Sequence, residues 1–207
     1  MRNQTKRKRQ PSFNKGSRRW LEVAGEWRLL SLLFQNPTRE TRRELSRLAH
    51  EGSRKLGPLA REWAETPCKE AEEEFQLIFG PGGVPAVESS YDPNALAGRG
   101  PLMADIAGFH EAFAYKPSRP PAEVPDHIAV ELDFLSYLAF KNAFARSRNK
   151  TADAGITAKA YASFLEDHLR TWLHPFRQRL DQAGSPFYAR AALAVETVAS
   201  TAVARPK

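Results

Sequence analysis

A chain of 207 residues, 42% of them hydrophobic, is long enough to bury a core unaided, and its single cysteine, Cys68, excludes an intramolecular disulfide or a cysteine cage for a metal. No run of roughly 18 uncharged apolar residues occurs, so no membrane insertion is expected and a reducing, cytoplasmic setting fits. The formal net charge of +7 suggests nucleic acid until it is located: residues 1–19 hold eight cations and no acid, and removing those eight from 31 leaves 23 cations against 24 acids. The basicity belongs to the tail, so residues 1–17 are expected to form a basic, disordered arm and residues 18–207 one domain. Nucleic-acid binding through that arm is the competing function.

Ser17-Arg18-Arg19-Trp20-Leu21 has the look of an export signal, but Glu22, Glu26 and Arg28 break the uncharged run such a signal needs. The stretch predicts instead a first helix over 18–34, with Leu21, Ala24, Trp27 or Arg28, Leu30 or Ser31, and Phe34 at helical spacing and Asn36-Pro37 as its end. Thr38 caps a second helix over 38–52, seamed by Leu45, Leu48 and Ala49, and a short piece follows at 59–64. Thr66 as N-cap and Pro67 at the first position then start a helix that runs to Gly80. Its glutamates, Glu70 and Glu72–Glu74, sit toward the positive end of the dipole. Phe75, Leu77, Ile78 and Phe79 cannot all bury on one side, so Leu77 and Phe79 are expected to be partly exposed as one wall of a groove.

Glycines and prolines at 80–100 predict a long irregular loop, mobile or functional, and a hinge that leaves monomer and helix-exchanged dimer both open. A helix over 101–115 stops at the prolines from Pro117 to Pro125. The central element is PDHIAVELDFLSYLAFKNAF, 125–144, with Pro125 at its first position. Ile128, Leu132, Leu135 and Leu138 form one stripe, and Val130, Phe134, Tyr137 and Phe144 a second. A helix apolar around most of its circumference belongs in the middle of a bundle. Helical spacing returns over 156–173, is interrupted at Pro175 and finishes before Gly184; a last helix runs from Ser185-Pro186 to about Ala202. No convincing strand pattern occurs, so the fold class expected is all-α, a single-domain bundle with one long Pro/Gly-rich loop.

The chemistry concentrates at the start of the central helix, where Glu123, Asp126, His127, Glu131 and Asp133 gather on an otherwise apolar element. His127 and Glu131 stand at i, i+4, a spacing that suits two metal ligands, but a hydrogen-bonded helix start is the better reading and no metal or other cofactor is expected. Gly80-Pro81-Gly82-Gly83 follows a helix and lacks the Gly-Lys-Ser/Thr ending of a phosphate loop. No nucleophile elbow or His-Glu-x-x-His helix is present; a hydrolase using Asp126 and His127 would have to recruit Ser89 or Ser90. The residues read as a recognition surface for a peptide that is both cationic and apolar, not as an enzyme.

Two blocks carry a resemblance to a known family. FQLIFGPGGVPAVESSY, 75–91, is similar to the aromatic-x-x-hydrophobic-Phe-Gly-Pro block ending in Ser-x-Tyr of the TorD/DmsD/NarJ redox-enzyme maturation chaperones. EVPDHIAVELDFLSYLA, 123–139, resembles that family's Glu-x-Pro-Asp-His-hydrophobic helix start. Where several members carry a tryptophan before Ser-x-Tyr, this chain has Val87-Glu88. The resemblance implies an all-α cytoplasmic chaperone whose partner is the precursor of a molybdenum-containing oxidoreductase, held through its twin-arginine leader. It also implies a peptide-binding set of Leu77, Phe79, Gly80, Pro81, Tyr91, Glu123, Asp126 and His127.

Overall fold

The computed structural model describes residues 14–51, 55–92, 98–117 and 124–202. Most of the basic arm, residues 1–13, and Glu123 lie outside that set. The elements in chain order are α1 (Lys15–Leu33), α2 (Arg39–Glu51), α3 (Gly57–Glu65), α4 (Cys68–Phe79), a 3₁₀ turn (Glu88–Ser90), α5 (Gly100–Ala112), α6 (Ile128–Ser147), α7 (Thr151–Phe164), a π-helical turn (Leu165–Leu169), α8 (Arg170–Gln182) and α9 (Pro186–Ala202). The all-α expectation holds: the described residues contain no strand, only one isolated antiparallel bridge between Val87 and His127.

The centre is α6 against α1. Ser31 Oγ donates to Ala129 O at 2.7 Å and Ser136 Oγ donates to Ala24 O at 2.8 Å, so rising numbers on α1 meet falling numbers on α6 and the two helices run antiparallel. Trp27, Leu30, Leu33, Leu132, Leu135 and Leu138 are buried between them and their neighbours. Trp27 does not leave its indole N–H unpaired: it donates to Tyr161 Oη of α7 at 2.7 Å. Phe144, placed on the second apolar stripe, departs from the expectation of a helix in the middle of a bundle, as does its neighbour Phe140. They are exposed near the C-terminal end of α6, with the Arg148 guanidinium 4.9 Å from the Phe144 ring.

Several helix boundaries differ from the sequence pattern; α7, for one, begins at Thr151 and not at Ile156. Helix α1 begins at Lys15, because the Asn14 side chain accepts from Ser17 N at 2.9 Å and caps it early. Thr66 closes α3 and does not cap α4; its hydroxyl donates to Glu62 O at 2.9 Å, and the extended backbone that a residue preceding proline prefers separates the two helices. Pro175 lies within α8 without ending it; Trp172, Leu173 and Phe176 around it are buried, and their packing offsets the backbone hydrogen bond that proline forfeits.

Candidate functional site

The two sequence blocks meet. After α4, Gly80 and Gly83 turn the chain so closely over the helix end that a Cβ on Gly83 would stand 2.3 Å from Ile78 O, while Val84 N donates to that same carbonyl at 2.7 Å. The chain then runs as a strap along the start of α6: Ile128 N donates to Ala86 O and Glu88 N to Asp126 O, both at 2.9 Å. A turn at Pro125-Asp126, closed by His127 N donating to Val124 O, and the extended backbone of His127 precede the helix, which is why α6 starts at Ile128 and not at Pro125. It also corrects the expectation of a mobile loop for residues 84–91, since Val84, Ala86, Glu88 and Ser89 are all buried.

His127 is the N-cap of α6, its Nδ1 accepting from Ala129 N at 3.2 Å, which leaves the ring proton on Nε2. Burial pushes its pKa down to about 4, against the smaller upward pull of Asp126, so the ring is neutral. His127 therefore shapes the helix start and offers a client no charge. Asp126 is completely buried, accepts from Ser89 N at 3.2 Å, and faces the half-exposed guanidinium of Arg99, which stands just before α5.

Behind Asp126 lies a set of groups that sequence reading left unassembled. Glu131 is fully buried, and Trp172 Nε1 donates to its Oε2 at 3.2 Å while Oε1 has no hydrogen-bond partner. Burial first, and then the charge of Glu88, raises the Glu131 carboxyl well above its ordinary range. Glu88 lies 3.2 Å from His168 Nδ1, and His168 Nε2 is 3.2 Å from Asp105, close enough for an ion pair though not aligned for a hydrogen bond. The signal for His168 was weak: it stands four residues before Trp172, across a π turn that no periodicity announces. Asp133 does not join this group. Two positions on from Glu131 it points to another side of α6, where Arg28 donates to it at 2.6 Å and Tyr115 Oη at 2.8 Å.

Of the apolar set, Leu77 is 78% exposed, Ile78 is buried, and Phe75 and Phe79 are half-buried. Phe79 is partly committed to the core, its ring edge-on to Tyr188 at 4.7 Å and to Phe34 at 6.3 Å. Pro81 is exposed and Gly80 partly so at the end of α4. Tyr91 stacks on Trp172 at 5.4 Å and donates to Pro85 O at 2.8 Å, bracing the strap. Burial, opposed by the Arg179 guanidinium 5.0 Å from the ring, raises its phenol to about 12. Contacts from Phe79 to Phe34, Phe34 to Phe176 and Phe176 to Tyr91 and Trp172 join the α4 end to the carboxylates through one aromatic row. Among the described residues no group of three or more His, Cys, Asp or Glu side chains is arranged to hold a metal ion, and no helix is long and apolar enough to cross a membrane.

Comparison with known proteins gives this arrangement a setting. The selenate reductase assembly chaperone protein of Thauera selenatis is 32% identical over 118 residues, 56% of this chain and 60% of that one. The chlorate reductase assembly chaperone protein of Ideonella dechloratans is 32% identical over 112 residues, 53% and 57% of the two chains. Chaperone protein TorD of Vibrio cholerae is 37% identical over 60 residues, 29% of this chain and 26% of its own. The match thus spans 60% or less of each of these relatives. A crystal structure described as a redox enzyme maturation protein from Archaeoglobus fulgidus shares the fold, with a TM-score of 0.57 at 20% identity over 83% of this chain and 90% of that one. The model of the nitrate reductase delta subunit family matches residues 33–178, most of the chain, which therefore belongs to that family, the TorD-like group of redox-enzyme maturation proteins.

Proposed function

We propose that this protein is a cytoplasmic chaperone that binds the precursor of a molybdenum-containing oxidoreductase through its twin-arginine leader and holds it during assembly, without catalysing a reaction. The observation that carries this reading is Asp126: a wholly buried carboxylate, at the contact of the two blocks, that already accepts an arginine guanidinium. A leader offers two adjacent arginines and an apolar helix. Carboxylates in a partly desolvated seat suit the first, and Leu77 with the half-buried Phe75 and Phe79 offers an apolar wall to the second. The selenate and chlorate reductase assembly chaperones among the relatives favour a reductase of the same kind as client.

The test is calorimetric titration of a synthetic peptide carrying Ser-Arg-Arg and a leucine/alanine helix into the wild type and Asp126→Asn. Loss of the charge should weaken binding by about 1 to 3 kcal/mol, or roughly 5- to 150-fold, and added salt should weaken the wild type more than the variant. Equal affinities would end the proposal.

A further inference from the structure

The ion pair on Asp126 is unlike other arginine pairs among the described residues. Arg99 is 56% exposed on its side chain while Asp126 is 0% exposed, so one member is free to leave and the other is not. A single nitrogen, Nη2, serves both carboxylate oxygens, at 3.4 Å to Oδ1 and 3.2 Å to Oδ2. Elsewhere Arg28 meets Asp133 at 2.6 Å, Arg170 meets Glu166 at 2.7 Å and Arg177 meets Glu196 at 2.8 Å. A guanidinium presented as a fork makes two parallel bonds of about 2.7–2.9 Å to a carboxylate, and Arg99 does not reach that geometry. Further carboxyl groups stand near the seat: Glu88 from the strap, which with Asp105 from α5 flanks His168, and Glu131 from α6, which burial and the charge of Glu88 push toward its neutral form.

We propose that Arg99 is an internal competitor, seated loosely on Asp126 in the absence of client and displaced when a client arginine takes the carboxylate in the forked geometry. This rests on the leader reading above and adds a threshold to it. The side chain keeps a buried carboxylate from standing unpaired while the site is empty, and it lowers the apparent affinity in proportion to the fraction of molecules in which the seat is open. A ligand with one arginine poorly placed does not displace it; one that delivers a forked guanidinium together with an apolar helix does.

The experiment uses the full chain in four forms: wild type, Arg99→Ala, Arg99→Lys, and Arg99→Ala combined with Asp126→Asn. The Ser-Arg-Arg peptide should bind Arg99→Ala about 5- to 30-fold more tightly than wild type, with Arg99→Lys between them, and the gain should vanish in the double variant. N-ethylguanidinium, which lacks any leader character, should bind Arg99→Ala saturably and raise its Tm, and should do neither to the wild type nor to the double variant. Peptide affinity that is unchanged or weaker in Arg99→Ala and Arg99→Lys, in a protein that binds the peptide when unmutated, overturns the competitor role and leaves the leader reading standing. If no form binds the peptide, the leader reading falls, and the N-ethylguanidinium arm alone decides: Asp126-dependent binding to Arg99→Ala supports an exchangeable seat, and its absence overturns it.

Discussion

Helix α6 touches two regions built on opposite terms. Along α1 its polar contacts are matched one for one, Ser31 to Ala129 O, Ser136 to Ala24 O and Arg28 to Asp133, inside an otherwise apolar contact. At its start, against the strap and the π turn, buried carboxyls crowd together, one oxygen of Glu131 has no partner, and the ion pair on Asp126 is long. The first arrangement minimises the free energy of the fold. The second leaves part of its hydrogen-bonding and charge-pairing capacity unspent, which is what a site for a cationic ligand requires and what a purely structural contact would have no reason to keep.

The comparison is broken most directly at the spine. Trp27→Ala removes a fully buried ring and its hydrogen bond to Tyr161, and should lower unfolding free energy by about 3–5 kcal/mol in a urea titration. The opposite sign is expected at the site. The folded protein keeps a proton on Glu131 that the unfolded chain has released, so the stability this group contributes is complete below 4.5 and is lost as pH rises through the raised folded value. Glu131→Gln has no proton to lose; it should be more stable than wild type on the alkaline side by about 1–3 kcal/mol and match it in acid, as pH-dependent denaturation would show. A uniform loss of stability in Glu131→Gln at every pH would mean that the carboxylate is a satisfied structural group.

His127 gives a smaller effect. Its folded pKa lies near 4, below the unfolded 6.5, so its contribution is present above 6.5 and is lost as pH falls toward 4, a window that His110, also lowered to about 4 by burial, shares. His127→Ala should cost about 1 kcal/mol as a lost cap at neutral pH, whereas His127→Asn should restore the cap and remove one share of the acid-side loss. Smallest on stability is Leu77→Ser, within about 0.5 kcal/mol of wild type in Tm-derived stability, since the side chain is 78% exposed. The same change should weaken the Ser-Arg-Arg peptide by roughly 3- to 10-fold if Leu77 becomes covered in the complex.

The spine was legible because periodicity alone dictates it: Trp27, Leu30, Leu132 and Leu135 recur at helical spacing and lie where that spacing puts them. The exposure of Leu77 was also readable, from an apolar cluster too crowded for one face, whereas the complete burial of Asp126 was not. What could not be read was anything set by pairing at a distance. The bridge between Val87 and His127 ties the strap to the start of α6, and Glu88, His168 and Arg99 reach the carboxylates from three separate elements. Glu131 and Asp133 looked like one cluster in the sequence, yet two positions on a helix place them on different sides.

The most direct test of the central claim is a double-mutant cycle between Asp126→Asn in the protein and Arg→Gln at each arginine of the Ser-Arg-Arg peptide, read as binding free energies. A carboxylate that grips a client guanidinium predicts a coupling of about 1–3 kcal/mol with one of the two arginines. Strictly additive losses at both arginines would contradict it.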